Sequence, residues 1–329
     1  MKVCVFGAGA VGGHFAARLH RGGAQASVVA RGPHLEAIRA QGLLVQAADG
    51  EMRARIPATS DPAELGPQDV VLVTLKAPAL PALAAGIAPL LGPRTCVVFA
   101  MNGIPWWYFH AHGGPLEGRR MPSIDPGDAV WNAVGPARAI GGVVYSGCTV
   151  VAPGVVRVAG ATSRLELGEP DGSSSSRVAA LAAVLRAGGL EVLETPRIRD
   201  RIWAKLLLNI STGPLCIATH ATLGQLFGDP VLLAAMRAML GEAAAIARAM
   251  GCAPPDDLLG PLEKNRDSPH KPSILQDLEA GRPMEVAALY EAPLELARLA
   301  GVATPTLDLA VAIARQRARR AGLLPDRTG

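Results

Sequence analysis

The sequence predicts an α/β N-terminal domain followed by an all-α C-terminal domain, and three patterns carry that expectation. The chain runs through strand, glycine turn and helix in KVCVFGAGAVGG, residues 2–13. Two later apolar runs, VVLVTL at 70–75 and CVVFA at 96–100, have the unbroken hydrophobicity of strands buried on both faces of a parallel sheet. From Asp200 onward strand patterns disappear and apolar residues recur at helical spacing.

In the opening stretch, Val3, Val5 and Phe6 make a short β-branched and aromatic run that leads straight into Gly7-Ala8-Gly9-Ala10-Val11-Gly12. Gly7 suits a tight turn, Gly9 lets backbone approach a pyrophosphate, and Gly12 lets the following helix pack closely on the strand, with phosphate charge at the helix N-terminus. The flanking strand and helix give the motif its required setting, so the expectation is a Rossmann domain with a bound dinucleotide. A secretory signal fits poorly, because glycines break the apolar segment and His14, Arg18, His20 and Arg21 follow too soon.

Half of the 329 residues are apolar, enough for two separate cores. Arg237, Glu242 and Arg248 interrupt the most apolar later stretch, so no bilayer span is expected. Five scattered cysteines (Cys4, Cys96, Cys148, Cys216, Cys252) fit neither a disulfide framework nor a zinc site and point to a reducing cytoplasm. The net charge of +4 is modest, and the cluster Arg315, Arg317, Arg319 and Arg320 reads as the solvated end of a C-terminal helix rather than a nucleic-acid surface.

After the first helix, ASVVA at 26–30 reads as the second strand, and Arg31 lies just past its end. An NAD site usually has an acid here for the ribose hydroxyl, whereas an arginine can pair with the 2′-phosphate of NADP. Glu36 could serve as that acid but falls in the next helical pattern, so NADPH is the expected cofactor. The run at 70–75 ends at Lys76 and the run at 96–100 leads to Asn102-Gly103, both where an open α/β sheet holds its ligand. Between them, 78–91 is helix-capable. Trp106-Trp107-Tyr108-Phe109-His110 opens an insertion at about 106–135, readable as a lid, a lining, a partner surface or plain packing. Short strands are expected over 143–158 and 163–167, with turns at Pro153-Gly154 and Gly160. A helix over 177–187 and a last strand at 191–194 follow, and Pro196 marks the boundary. The domains are therefore placed at 1–195 and 196–329, the second with helices over 202–209, 230–250, 274–279, 284–300 and 307–321.

Lys205 and Asn209 stand four apart and project from one helix face. By spacing alone they could be a solvated stripe. Ser273 and Asp277 are likewise four apart, Gly281-Arg282-Pro283 breaks that helix, and Pro283 suits the first turn of a new one. Glu285 would sit near that N-terminus, where a carboxylate can simply complement the dipole.

Taken together, GAGAVG, VTLKA with Lys76, MNG with Asn102, WAKLLLN with Lys205 and Asn209, and SILQDLEAGRPMEV with Ser273, Asp277 and Glu285 make the chain resemble the ketopantoate reductase (2-dehydropantoate 2-reductase) family across nearly its whole length. The resemblance implies a Rossmann domain followed by a helical domain, with NADPH and a 2-oxo acid in the cleft between them. It implies that Gly7, Gly9 and Gly12, with Ala10 and Val11 in the same turn, hold the pyrophosphate, and that Arg31 holds the 2′-phosphate. Lys76 and Asn102 would line the junction of cofactor and substrate. Lys205 would be the general acid, Glu285 would bind a substrate hydroxyl and help hold Lys205, and Asn209 and Ser273 would position the substrate. No metal is needed for this chemistry.

Departures from the family pattern are local. Gly213 stands where a second asparagine is common, His270 stands where an asparagine precedes the serine, and Tyr290-Glu291 replaces an asparagine-glycine pair. The expected function is NADPH-dependent reduction of a 2-oxo acid, led by ketopantoate in pantothenate biosynthesis. A different, bulkier 2-oxo acid and a noncatalytic NADP-binding sensor are the alternatives. No nucleic acid or membrane partner is expected, and a homodimer is the one oligomer considered.

Overall fold

The computed structural model describes residues 1–264 and 266–324. The chain divides into two compact units, Met1–Met101 with Pro105–Ile198, and Asn102–Ile104 with Arg199 onward. The α/β fold followed by helices holds.

The first unit is one ten-stranded sheet with order β4-β3-β9-β8-β7-β6-β1-β2-β5, in which β10 also pairs with β9. Its strands are β1 (Lys2–Phe6), β2 (Gln25–Val29), β3 (Leu43–Ala47), β4 (Gly50–Ala54), β5 (Ala58–Thr59), β6 (Gln68–Val73), β7 (Leu91–Ala100), β8 (Ala139–Ala152), β9 (Val155–Gly168) and β10 (Glu191–Glu194). Its helices are α1 (Ala10–Arg21), α2 (Gly32–Gln41), α3 (Leu80–Gly86), α4 (Ala129–Val134) and α5 (Ser176–Ala187). From β5 through β8 every neighbouring pair is parallel. The order reverses at β1, whose neighbours are β2 on one side and β6 on the other. That reversal is the switch point at which open α/β sheets hold ligands beyond their strand C-termini.

Several local expectations differ from the structure. The segment 78–91 is not one helix: prolines at 78, 81 and 89 divide it into two 3-10 turns flanking α3. Instead of short strands broken at Gly160, β8 and β9 are 14 residues each and pair antiparallel, with Gly160 at positive φ inside β9. The hairpin of β3 and β4, which pair antiparallel, is an addition; its signal is Asp49-Gly50 at the turn. Trp106, Trp107, Tyr108 and Phe109 are all essentially buried, and Trp106 stacks edge-on against Phe99 of β7. The aromatic run is packing.

A polar cluster is buried under α1. His14 Nε2 accepts from Arg18 Nε at 3.0 Å, and Arg18 Nη1 and Nη2 hold Asp49 at 2.6 and 2.7 Å. His14 Nδ1 stands 3.2 Å from the Ser146 hydroxyl. An imidazole that accepts from a guanidinium must be neutral. Burial, aided by the Arg18 charge, pulls its pKa from 6.5 to about 4.

The second unit is helical, and among the described residues no strand follows Glu194. Its helices are α6 (Ile198–Thr219), α7 (Leu223–Gly228), α8 (Pro230–Ala249), α9 (Gly260–Glu263), α10 (Ser273–Glu279), α11 (Ala292–Ala300) and α12 (Pro305–Arg320), with a π-helical turn at Ala287–Glu291 leading into α11. α6 outruns its apolar pattern and continues through Pro214. In the turn before the proline, the Ser211 and Thr212 hydroxyls bond back to the Leu207 and Leu208 carbonyls at 2.7 Å each. Pro283 lies outside the helix that it was expected to start, because helical backbone begins at Val286. By length and composition α6 and α8 could each cross a membrane, despite their charges, and 67% of the apolar window of α6 is buried. The arginine cluster is only partly solvated: Arg315 pairs with Glu291 at 3.8 Å, and Arg317 reaches the Ala218 carbonyl at the end of α6.

The His14 cluster predicts a pH dependence. The folded pKa lies below the unfolded one, so the unfolded chain binds the proton first as pH falls. Stability is complete above about pH 6.5 and is lost toward about pH 4, by a total on the order of 3 kcal/mol. Melting temperature measured from pH 7.5 to 4.5 should fall across that window, and His14→Gln, which keeps an acceptor but does not titrate, should flatten the fall.

Candidate active site

The glycine turn is built by the sheet edge. Gly7 and Ala8 both donate to the Val29 carbonyl, at 3.0 and 3.1 Å, which ties the turn after β1 to the end of β2. Gly7 sits at φ +102, which L side chains rarely adopt. Its carbonyl accepts from the Thr74 hydroxyl at 2.7 Å, so the end of β6 braces the same turn. A Cβ on Gly12 would overlap the Gly7 carbonyl oxygen and the Thr74 hydroxyl. A Cβ on Gly9 would meet nothing within 4 Å. These two glycines serve opposite needs: Gly12 lets helix meet strand, and Gly9 leaves open space over the backbone. α1 then begins with no side-chain cap, and its first turn carries no acid. An open, uncapped helix N-terminus below a glycine with free space above it fits a pyrophosphate.

Arg31 is exposed two residues beyond Val29 and is the residue that caps α2 in extended conformation, without using its side chain. Glu36, the rival acid, is inside α2, where it lies 3.7 Å from Arg39. The charged side chain just past the end of β2 is therefore the cationic Arg31 and not the acid. Lys76 is exposed at the same C-terminal edge, just past β6.

A second group of residues gathers on the helical unit. Asn102 follows β7 but packs with the helices: Ile104 donates its N–H to the Ala288 carbonyl at 3.0 Å. Gly103 makes this docking feasible, since it has φ +84 and a Cβ there would overlap the Ala288 carbonyl group. The Asn102 amide Nδ2 then donates to Glu285 Oε2 at 3.4 Å. Glu285 is 6% exposed and directly precedes the helix carrying Ala288.

Lys205 and Asn209 lie half-buried on α6, one turn apart on one face, and Gly213 continues that face by a further turn. A Cβ on Gly213 would overlap the Tyr290 hydroxyl oxygen and lie 3.4 Å from Cγ2 of Ile274. The Lys205 face of α6 is thus packed onto the π-helical turn just after Glu285 and onto α10, whose first residue is Ser273. Burial and the nearby Cys216 and Glu285 charges hold the Tyr290 phenol well above its ordinary pKa of 10, so it stays protonated. Asp277, four residues after Ser273, is buried against Arg282 at 2.9 Å and has a structural role. Ser273 and His270 are exposed.

The structure therefore separates the expected residues into two sets. Gly7, Gly9, Ala10, Val11, Gly12, Arg31 and Lys76 belong to the α/β unit, while Asn102, Lys205, Asn209, Ser273 and Glu285 belong to the helical unit. Gly103, read with Asn102 as a strand-end turn, and Tyr290, read only as a departure from the family pattern, are the residues that bring these segments together. The paired departures at 213 and 290 were the available signal for Tyr290.

Two family models match the chain, ketopantoate reductase PanE/ApbA over residues 3–172 and the ketopantoate reductase PanE/ApbA C-terminal region over 197–318. The chain belongs to the ketopantoate reductase family. A 2-dehydropantoate 2-reductase of Mesorhizobium japonicum is 45% identical over 325 residues, spanning 98% of this chain and 99% of that protein. A Ralstonia solanacearum structure assigned to the ketopantoate reductases shares 40% identity with a TM-score of 0.91, covering 98% and 99% of the two chains. The 2-dehydropantoate 2-reductase of Geobacter metallireducens is 28% identical with a TM-score of 0.84, covering 96% and 99%. The ketopantoate reductase family match thus spans both units.

The docking of the Asn102 loop predicts that Gly103→Ala loses stability by at least about 1–3 kcal/mol, the usual cost of forcing a side chain into left-handed backbone. Urea unfolding of the variant beside the parent measures this. An unchanged midpoint would mean that the loop can leave the Ala288 carbonyl without cost.

Proposed function

We propose that the chain reduces a 2-oxo acid to a 2-hydroxy acid with NADPH, and that ketopantoate, reduced to pantoate for pantothenate biosynthesis, is its substrate. The observation that carries the reading is the buried Glu285 carboxylate met by the Asn102 amide, next to the π-helical turn on which the Lys205 face of α6 packs. Family membership supports it across both units.

NADPH, when bound, supplies the hydride that adds to the substrate's C2. Lys205 donates its proton to the keto oxygen, and its charge stabilises the alkoxide as it develops. Glu285 accepts a hydrogen bond from the substrate's hydroxyl and, with Asn102, fixes that end of the molecule. Asn209, one turn from Lys205, and Ser273, at the start of α10, orient the carboxylate and hydroxyl. Arg31 pairs with the 2′-phosphate, while the Gly7 to Gly12 turn, with Ala10 and Val11, receives the pyrophosphate. In this reading Lys76 serves the cofactor from the α/β unit, and Asn102 serves cofactor and substrate from the helical unit. A cytoplasmic homodimer without nucleic-acid or membrane partners belongs to the same reading, and five cysteines that form no disulfide accord with a reducing compartment.

NADPH consumption followed by absorbance across ketopantoate and straight-chain, branched and aromatic 2-oxo acids tests the assignment, and ketopantoate should have the highest kcat/KM. Lys205→Ala should lower kcat by roughly 10² to 10⁴-fold while NADPH still binds. Retention of most of the rate would remove Lys205 from proton transfer. Arg31→Ala should weaken NADPH by about tenfold to 150-fold, the value of one charge-assisted contact, and leave NADH nearly unchanged. Equal losses for both cofactors would show that Arg31 does not read the 2′-phosphate.

A further inference from the structure

The Tyr290 hydroxyl is the least explained polar group in the helical unit. It is fully buried, makes no hydrogen bond, and rests on the one position of the Lys205–Asn209 face that has no side chain. A phenylalanine would fill the same volume without leaving a buried O–H unmade, so packing alone does not account for the tyrosine. The residue also sits in a π-helical turn, an irregularity that recurs at functional sites because it re-aims side chains. Five residues earlier is Glu285, close enough for its charge to act on the phenol.

We propose that Tyr290 is a specificity-determining residue whose hydroxyl donates a hydrogen bond to the hydroxyl of the substrate that Glu285 binds. The inference rests on the 2-oxo acid reading above. A carboxylate can only accept, whereas an alcohol both donates and accepts. Glu285 takes the alcohol's proton side, and a phenol that stays protonated gives to its oxygen. Gly213 is the condition for this arrangement, because any side chain there would push the phenol away. The pair at 213 and 290 therefore selects a 2-oxo acid carrying a hydroxymethyl group over an analogue carrying a methyl group in its place. It also removes the extra room that Gly213 by itself would imply.

The test compares ketopantoate with 3,3-dimethyl-2-oxobutanoate, which differs only in lacking the hydroxyl, using the parent and Tyr290→Phe. The expected result is a loss of kcat/KM of roughly 10 to 100-fold for ketopantoate, less than about twofold for the analogue, and a melting temperature equal to or above that of the parent. The shift in melting temperature produced by pantoate with NADP should shrink in the variant as well. Equal changes for both substrates, or an undiminished pantoate shift, would overturn the role of Tyr290 and leave the reductase reading intact. A parent that neither turns over ketopantoate nor responds to pantoate would overturn both.

Discussion

The helical unit depends on the close approach of α6 to the π-helical turn at Gly213 and Tyr290. Three elements meet there, since Ile274 of α10 closes the third side. The approach is costly by local rules. Glycine within a helix costs about 1 kcal/mol relative to alanine, the adjoining Pro214 deletes a backbone donor, and a buried unmade hydroxyl costs roughly 1–3 kcal/mol. Deep packing of the rest of α6 offsets these terms: Trp203, Leu206, Leu207, Ile210, Cys216 and Ile217 are all buried. In return, Lys205 and Asn209 are placed along a helix face whose distance from the Glu285 segment is set by contact with a glycine.

The same π-helical turn organises Asn102. Its Ala288 carbonyl receives the Ile104 N–H, and Gly103 is the residue that lets backbone lie on backbone there. A loop that leaves the end of a sheet strand is thus held by the helical unit, and the amide it carries is delivered to Glu285. The glycine turn after β1 follows a similar logic, with Gly12 pressed on the Gly7 carbonyl and the Thr74 hydroxyl. In both places a missing Cβ sets the separation of two backbones, and a functional group is positioned as the consequence.

Much of this was legible beforehand, and the exceptions have physical causes. Unbroken apolar runs marked β6 and the inner part of β7 because strands covered on both faces have no polar side. Edge hairpins carry a weaker signal, and β3 with β4 went unnoticed although Asp49-Gly50 was present. Alanine content was weighed above prolines over 78–91, which the structure breaks into 3-10 turns around α3, while α6 was ended at Asn209 although it continues through Pro214. Among the site residues, glycines and charged groups were visible by type and spacing. Tyr290 was noted only as a departure, because whether a tyrosine fills a gap left by a glycine 77 positions away depends on folding two segments together.

The division of labour between the units bears on how such a site changes. Arg31 and the glycine turn, which the proposed reading gives to the cofactor, belong to the α/β unit, whereas residues 213 and 290 belong to the helical unit. The residues proposed to act on the substrate are coupled to one another: a side chain at 213 requires a smaller residue at 290, and the π-helical turn carries the Ala288 carbonyl that holds the Asn102 loop. Substitutions at contacting positions are not additive. In the proposed reading, substrate preference is set by contacting residues within the helical unit, whereas the choice between NADPH and NADH turns on Arg31 in the α/β unit.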